Sequence, residues 1–240
     1  MKIGVLGTGS VGQTIGAKLV ELGHEVTMGS RSRTNEHAAE WVASAGAGAS
    51  QGTFADASAF GEVVFNCTAG TVALEALGSA GEENLAGKVL VDVSNPLDFS
   101  QGMPPTLSVC NDDSVGEQIQ RAFPEARVVK ALNTVNAGVM VDPASVPGEH
   151  DIFVCGNDDG AKAQVSELLQ SFGWPAERII DLGDITAARG VEMYLPLWLR
   201  LMGAFGPHSC SDSPIVVIAP RRTNGNRGPI VASPPYRRTT

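Results

Sequence analysis

Gly7-Thr8-Gly9-Ser10-Val11-Gly12 lies between an apolar, strand-like run at residues 2–6 and a segment whose apolar residues have helical spacing. In this setting the first glycine permits a tight turn, the second lets a pyrophosphate approach the backbone, and the third allows a helix to pack closely on a strand. The free amides at the start of the helix can then receive phosphate oxygens. The stretch therefore predicts a dinucleotide site formed by Gly7, Thr8, Gly9, Ser10, Val11 and Gly12.

Apolar runs bounded by turn residues alternate with segments of helical periodicity along most of the chain, which is typical of β-α-β units. Strands are predicted at residues 2–7, 25–30, 63–68, 88–94, 127–132, 151–155 and 178–182. Helices are predicted at residues 11–22, 36–45, 115–123 and 161–172, and from about residue 185. The connection between the second and third strands has the least clear pattern. The predicted fold class is α/β, a Rossmann-type, doubly wound and mainly parallel sheet with a small C-terminal α/β extension.

Composition excludes several classes of partner. The chain has 240 residues, of which 43% are hydrophobic, and its formal net charge is −9. An acidic chain of this kind has no diffuse positive field for nucleic acid or anionic lipid, and no apolar run reaches the roughly 20 residues that cross a bilayer. The four cysteines lie far apart without a Cys-x-x-Cys pair, so neither a metal site nor a disulfide is predicted. The amino terminus does not read as a signal peptide, and a cytoplasmic location is expected.

The chain is predicted to have three parts. Residues 1–150 are expected to form an NADP-binding Rossmann domain, and residues 151–206 a small C-terminal part for a substrate or second cofactor. Residues 207–240 hold six of the fourteen prolines, and five arginines, in 34 residues. This composition predicts a disordered, atypical tail.

The end of the second strand indicates which dinucleotide is bound. NAD-specific sites have an acidic residue about 20 residues after the glycine loop, whereas this chain has Gly29-Ser30-Arg31-Ser32-Arg33. A hydroxyl and a guanidinium fit a 2′-phosphate, which an acid would repel. NADP(H) is therefore favoured over NAD(H), with Ser30, Arg31 and, more weakly, Arg33 as ligands. The alternative, two arginines in an ordinary solvated loop, stays open.

Further cofactor contacts are expected where the strands end, because ligands of such sheets lie over the carboxyl ends of the strands. Asn95 and Asn133 could orient a carboxamide or a second substrate, or could simply form turns. The predicted contacts at the strand ends are Cys67, Thr68, Ala69, Ser94, Asn95, Ala131 and Asn133.

Over about residues 1–206 the sequence resembles the NADP oxidoreductases that depend on the deazaflavin coenzyme F420. The stretches that carry the resemblance are Gly7-Thr8-Gly9-Ser10-Val11-Gly12, His24-Glu25-Val26-Thr27-Met28-Gly29-Ser30-Arg31, Val129-Lys130-Ala131-Leu132-Asn133-Thr134 and Val154-Cys155-Gly156-Asn157-Asp158. The resemblance implies hydride transfer between NADP(H) and coenzyme F420. It assigns residues 8–11 to the pyrophosphate, Ser30 and Arg31 to the 2′-phosphate, and the strand ends through Ala131 to the nicotinamide half. After Gly206 the sequence departs from the family, which we interpret as an altered carboxyl terminus.

No catalytic residue is predicted, because two redox cofactors supply the chemistry when they are held together. Lys130 interrupts an apolar strand and is part of a buried ion pair, lies at an edge position, or is a proton donor for carbonyl or imine reduction. The glycine loop does not identify the acceptor, since a flavin, a quinone or a ferric chelate would use the same NADP site. A non-catalytic NADP(H)-binding sensor is a further alternative. The apolar residues 194–202 are predicted to be buried or to form a homodimer interface.

Overall fold

The computed structural model describes residues 1–205, so the predicted tail at residues 207–240 lies outside the described residues. Eight strands form one sheet, and two short strands, β6 and β7, form a separate antiparallel ribbon. The strands are β1 (Lys2–Leu6), β2 (Glu25–Ser30), β3 (Ala49–Thr53), β4 (Val63–Asn66), β5 (Val89–Asp92), β6 (Leu97–Asp98), β7 (Thr106–Leu107), β8 (Arg127–Ala131), β9 (Ile152–Gly156) and β10 (Ile179–Asp181).

The strand order in the large sheet is β10-β9-β8-β5-β4-β1-β2-β3. Six neighbouring strands, in the spatial order β3-β2-β1-β4-β5-β8, are parallel. This is the strand order of the Rossmann fold, in which the chain first adds strands on one side of β1 and then, from β4 on, on the other side. β9 pairs antiparallel with β8, and β10 runs parallel to β9. The predicted α/β class, with a doubly wound and mainly parallel sheet, is confirmed, and β9 and β10 are the predicted C-terminal strands.

Ten α-helices are present in residues 1–205, and none of them is both long and apolar enough to cross a bilayer. The five predicted helical regions are all found. The α-helices are α1 (Ser10–Glu21), α2 (Glu36–Ala45), α3 (Phe54–Phe60), α4 (Ala73–Ala80), α5 (Glu82–Leu85), α6 (Val115–Ala122), α7 (Ala137–Val141), α8 (Asp159–Ser171), α9 (Ala188–Met193) and α10 (Leu195–Phe205).

The connection between the second and third predicted strands contains one further strand and one further helix. β3 lies at the edge of the sheet, and only one of its five residues, Gly52, is buried, so its sequence has no apolar run that predicts a strand. α3 begins with a capping box in which Thr53 and Asp56 bond each other's backbone amides. That spacing is the local signal that could have predicted the helix.

The core lies on both faces of the sheet, because successive residues of a strand point to opposite sides. Ile3 and Val5 of β1 pack in one apolar cluster with α1, α2 and α8, whereas Leu6 packs in a second cluster with α3, α4 and α6. In the predicted apolar segment, Leu195 is buried but Leu197 is 57% exposed. Helices on both faces leave the carboxyl edge of the sheet open for a ligand.

Candidate functional site

The glycine loop connects the end of β1 to the start of α1, and its three glycines meet three different steric conditions. Gly7 has a φ of 114°, in the region that favours glycine. A Cβ on Gly12 would lie 2.1 Å from the carbonyl oxygen of Gly7, whereas a Cβ on Gly9 would have no neighbour within 4 Å. The helix therefore packs tightly at Gly12, and the backbone at Gly9 is open to an approaching group.

The first turn of α1 provides free amides at this opening. Gly9 is the N-cap residue and supplies no side-chain hydrogen bond to them. Gly9 and Ser10 are exposed, Val11 is half-buried and Gly12 is buried. Since the first N–H groups of a helix carry a partial positive charge, this end can hold an anionic pyrophosphate. The site thus fits the dinucleotide that the sequence predicts.

A cleft of about 460 Å³ begins at the glycine loop. It brings together five predicted residues: Gly7, Thr8, Ser30, Arg31 and Thr68. Seven lining residues were not predicted: Ser32, Asn35, Phe54, Val72, Glu75, Ala76 and Ser79. The predicted residues that are not among those lining the cleft are Gly9, Ser10, Val11, Gly12, Arg33, Cys67, Ala69, Ser94, Asn95, Ala131 and Asn133.

The turn after β2 is fixed by its own side chains. The Ser30 hydroxyl donates to the carbonyl of Ser32 at 2.5 Å, and the Ser32 amide donates back to the Ser30 hydroxyl at 3.2 Å. Arg31 is exposed at the cleft and makes no ion pair with any residue in the described range 1–205, so within that range its guanidinium can meet a phosphate. Asn35 caps α2 by accepting the Ala38 amide at 3.0 Å. Asparagine is a preferred N-cap residue, so the cap could have been predicted from the sequence, but the position of Asn35 in the cleft could not.

Arg33 differs from Arg31 although both were predicted. Its guanidinium Nη2 lies 2.6 Å from Oδ1 of Asp56, and it is not among the residues that line the cleft. Hydrogen bonds from the backbone and hydroxyl of Thr53, followed by the charge of Arg33, hold the pKa of Asp56 below its usual value. Arg33 is therefore paired with α3, whereas Arg31 lines the cleft.

The ends of β5 and β8 are joined by two asparagines. Nδ2 of Asn95 donates to the Asn133 carbonyl at 2.9 Å, and Nδ2 of Asn133 donates to Oδ1 of Asn95 at 3.0 Å and to the Val191 carbonyl at 3.1 Å. Between Ala131, which is fully buried in β8, and Asn133, Leu132 has a φ of 65°. A non-glycine residue in this region is strained, and such strain is typical of functional sites.

Cys67, Ala69 and Ser94 have different surroundings. Burial, with a further contribution from Asp92, raises the pKa of the Cys67 thiol well above its usual value, so the thiol is neutral. Ala69 is exposed, just before the turn that begins the approach to α4. The buried Ser94 hydroxyl donates to Oδ1 of Asp92 at 2.7 Å, which gives Ser94 a structural partner.

Lys130 is completely buried and makes an ion pair with two carboxylates. Its Nζ lies 2.8 Å from Oδ2 of Asp92 and 2.7 Å from Oε1 of Glu192, and it donates to the Ser94 carbonyl at 2.5 Å. Burial by itself would lower the pKa of Lys130, but the charges and hydrogen bonds of Asp92 and Glu192 outweigh burial and raise that pKa. Lys130 therefore stays protonated at neutral pH, and its contacts with Asp92 and Glu192 show the buried ion pair that was one of its predicted roles.

Two other charged residues near the C-terminal strands also have structural partners. Asp184 accepts the Thr186 amide at 2.9 Å and so caps the short helix that precedes α9. Arg189 of α9 donates through Nε to Oε2 of Glu117 at 2.8 Å. This pair joins α9 to α6.

Known proteins share both the sequence and the fold of this chain. Residues 2–96 match the family described as "NADP oxidoreductase coenzyme F420-dependent". A crystal structure of a candidate F420-dependent NADP reductase from Arthrobacter sp. FB24 is 54% identical, with a TM-score of 0.81, and covers 86% of this chain and 95% of that one.

Two curated relatives have different acceptors in their names. The F420-dependent NADP reductase of Methanocaldococcus jannaschii is 36% identical over 50% of this chain and 53% of its own length. Metalloreductase STEAP3 of Rattus norvegicus is 29% identical over 82% of this chain and 38% of its own length. The chain thus spans about half or less of the length of these curated relatives. With the Arthrobacter protein matched over nearly its whole length, the chain belongs to the family of coenzyme F420-dependent NADP oxidoreductases.

Proposed function

We propose that this protein transfers a hydride between NADP(H) and coenzyme F420. The observation that carries the proposal is the cleft that joins the glycine loop to Ser30 and Arg31 in a chain of this family. The cofactors of the family are NADP(H) and F420, and the F420-dependent relatives support the same pair here.

The adenosine half of NADP(H) is assigned to the cleft. Arg31 would pair with the 2′-phosphate, with Ser30 shaping the turn, because a guanidinium makes bidentate contacts to phosphate oxygens. The amides of residues 9–11, of which Gly9 and Ser10 are exposed, would bind the pyrophosphate at the start of α1. Gly12 would act by letting α1 pack closely, and Thr8 and Thr68 would line the path toward the nicotinamide.

The nicotinamide half and the acceptor are assigned to the carboxyl edge of the sheet beyond Thr68. Asn95 and Asn133 would hold the ends of β5 and β8 there, near Ala69 and the buried Ala131. We assign NADP(H) to residues 1–150 and the surface toward the second cofactor to residues 151–206. A homodimer and a cytoplasmic location stay predictions.

When both cofactors are bound, the dihydronicotinamide of NADPH would supply a hydride, and the oxidised deazaflavin would accept it together with a proton from solvent. The protein would have to hold the two reacting carbons about 3 to 3.5 Å apart and exclude water from between the rings. No side chain has to act as an acid in this scheme. Direction depends on the cofactor concentrations.

A direct assay tests the proposal. Purified protein is mixed with NADPH and oxidised F420, and the loss of the visible absorbance of F420 is recorded, with NADH and a free flavin as controls. Rapid bleaching with NADPH, much faster than with NADH or with the flavin as acceptor, is the expected result. NADPH binding without bleaching of F420 would overturn the proposal.

The similarity to metalloreductase STEAP3 favours one second candidate, NADPH-dependent reduction of a metal chelate. This reaction would use the same NADP site and replace only the acceptor. It is distinguished by adding a ferric chelate, with and without free flavin, to the same assay. Faster reduction of the chelate than of F420 would favour it.

The rate of hydride transfer should not depend on titration of Lys130. Its raised pKa keeps it charged, and its contribution to stability is fully present below the unfolded pKa of about 10.4 and is lost only at higher pH. We therefore expect kcat for F420 reduction to show no titration of a lysine between about pH 6 and about pH 9. A pH profile in which kcat falls with a lysine-like pKa in this range, and no longer does so in Lys130→Met, would contradict this expectation.

A further inference from the structure

Each of the three N–H groups of the Lys130 ammonium has a hydrogen-bond acceptor. Asp92 ends β5, the Ser94 carbonyl lies two residues further along the chain, and Glu192 belongs to α9. The ammonium group therefore joins β8 to the end of β5 and to a helix of the C-terminal part. A lysine has three donors and no acceptor, so this arrangement leaves none of its N–H groups unpaired.

The acceptors are themselves fixed by further hydrogen bonds. Glu192 accepts the amides of Val115 at 2.9 Å and Gly116 at 3.1 Å, at the start of α6. Asp92 accepts Nδ2 of Asn66 at 2.9 Å. Two carboxylates face one ammonium group, so the network has one negative charge in excess. The N–H groups that Asp92 and Glu192 also accept compensate this charge.

The same network reaches the cofactor cleft. Oδ1 of Asn66 accepts the hydroxyl of Thr68 at 2.7 Å, and Thr68 lines the cleft. Contacts therefore run without a break from Thr68 through Asn66 and Asp92 to Lys130 and Glu192. The network lies under the strand ends to which the nicotinamide half is assigned.

A buried ion pair is in general a poor source of stability, because desolvation offsets its attraction, and apolar side chains often replace it at no loss. What a buried ion pair supplies is a defined relative position of the elements that it joins. Resting on the proposed function, we propose that Lys130 is a positioning residue that fixes the ends of β5 and β8 and α9 in one arrangement, and thereby sets the rate of hydride transfer rather than the affinity for NADPH.

The test uses Lys130→Met, which keeps an unbranched side chain that ends where the ammonium group of lysine begins, and so removes the charge and the donors. We expect kcat for F420 reduction to fall about 100-fold, as for a misplacement of about 1 Å between reacting atoms, while the Kd for NADPH changes less than about threefold. The Kd for NADPH is expected to stay nearly unchanged because the contacts that bind NADPH are mainly those of its phosphates with the glycine loop and Arg31. Unchanged kcat in the folded variant, or an equal loss in Kd, would overturn the inference.

A second readout does not need the acceptor. The fluorescence anisotropy and lifetime of the bound dihydronicotinamide report how rigidly the ring is held, and both should fall in Lys130→Met at saturating NADPH. If wild-type protein does not reduce F420, the proposed function fails, whereas this measurement still tests Lys130. Fluorescence identical to wild type would refute the positioning role.

Two further variants separate positioning from general stability. Lys162→Met removes another largely buried lysine that pairs with two acids, Asp159 and Asp181. This pair joins α8 to β10 and, within residues 1–205, shares no hydrogen bond or ion pair with the Lys130 network, so the variant should lower Tm without changing kcat or the fluorescence. If Lys130→Met does not fold, the double variant Lys130→Met with Glu192→Gln removes one charge of each sign and preserves the charge balance. It should fold and still be slow, and a wild-type rate in this double variant would overturn the inference.

Discussion

Arg31→Glu is expected to lower kcat/KM for NADPH by about 100-fold or more and to change kcat/KM for NADH less than about threefold. A hydrogen-bonded contact to a charged group contributes about 1.5 to 3 kcal/mol, which is about 10-fold to 150-fold, and the new carboxylate would also repel the 2′-phosphate. Because NADH has no 2′-phosphate, its binding does not depend on this contact. Steady-state kinetics with both dinucleotides and one acceptor measure the change in preference.

Arg33→Glu is the matched control, because it makes the same change of charge two residues away. Arg33 pairs with Asp56 rather than lining the cleft, so its loss should reduce kcat/KM for NADPH by less than about threefold. If the two variants lose NADPH preference equally, the effect belongs to the net charge of the loop, and the assignment of Arg31 to the 2′-phosphate is wrong.

Gly12→Ala should destabilise the protein by about 3 kcal/mol, the upper end of the usual range for overpacking. The added Cβ would lie 2.1 Å from the carbonyl oxygen of Gly7 and 3.1 Å from its carbonyl carbon. Both atoms belong to the backbone, so no flexible side chain can move to relieve the clash. For a chain of this length, thermal unfolding should occur about 10 °C lower.

Gly9→Ala separates packing from binding within the same loop. The space around Gly9 is open and its φ is −76°, which alanine readily adopts, so Tm should stay within about 1 °C of wild type. The methyl group would nevertheless stand where the pyrophosphate approaches, and the Kd for NADPH should rise about tenfold. If the NADPH affinity of Gly9→Ala is unchanged, the assignment of the pyrophosphate to this part of the loop is wrong.

The sequence predicts the parallel sheet well where strands are buried, because these strands are continuous apolar runs. β1 and β8 are examples, and Lys130 is the only charged residue in the interior of β8. β3 could not be predicted in this way, since Ala49-Ser50-Gln51-Gly52-Thr53 is an edge strand held by its pairing with β2. Its stability comes from a neighbour that its own residues do not indicate.

The residues of the candidate site also fall into those that local sequence signals predict and those that depend on tertiary packing. Ser30, Arg31 and Thr68 were predicted because they lie at or just after the ends of strands, and these residues do line the cleft. Phe54 and Glu75 were not predicted, because α3 and α4 reach the cleft only through packing on the sheet. Local signals identify strand ends and caps, but which helix faces meet across the cleft is decided by tertiary contacts.

The reversal of direction between β8 and β9 has a consequence for protein engineering. Because β9 is antiparallel to β8, its first residues lie at the edge where the six parallel strands end, and β10 begins beside them. Arg178, just before β10, pairs with Asp151, just before β9, and so ties the two beginnings together. A mutant library at the exposed positions of residues 142–149 and 175–177 that retains this pair would vary the surface at that edge while leaving the glycine loop untouched.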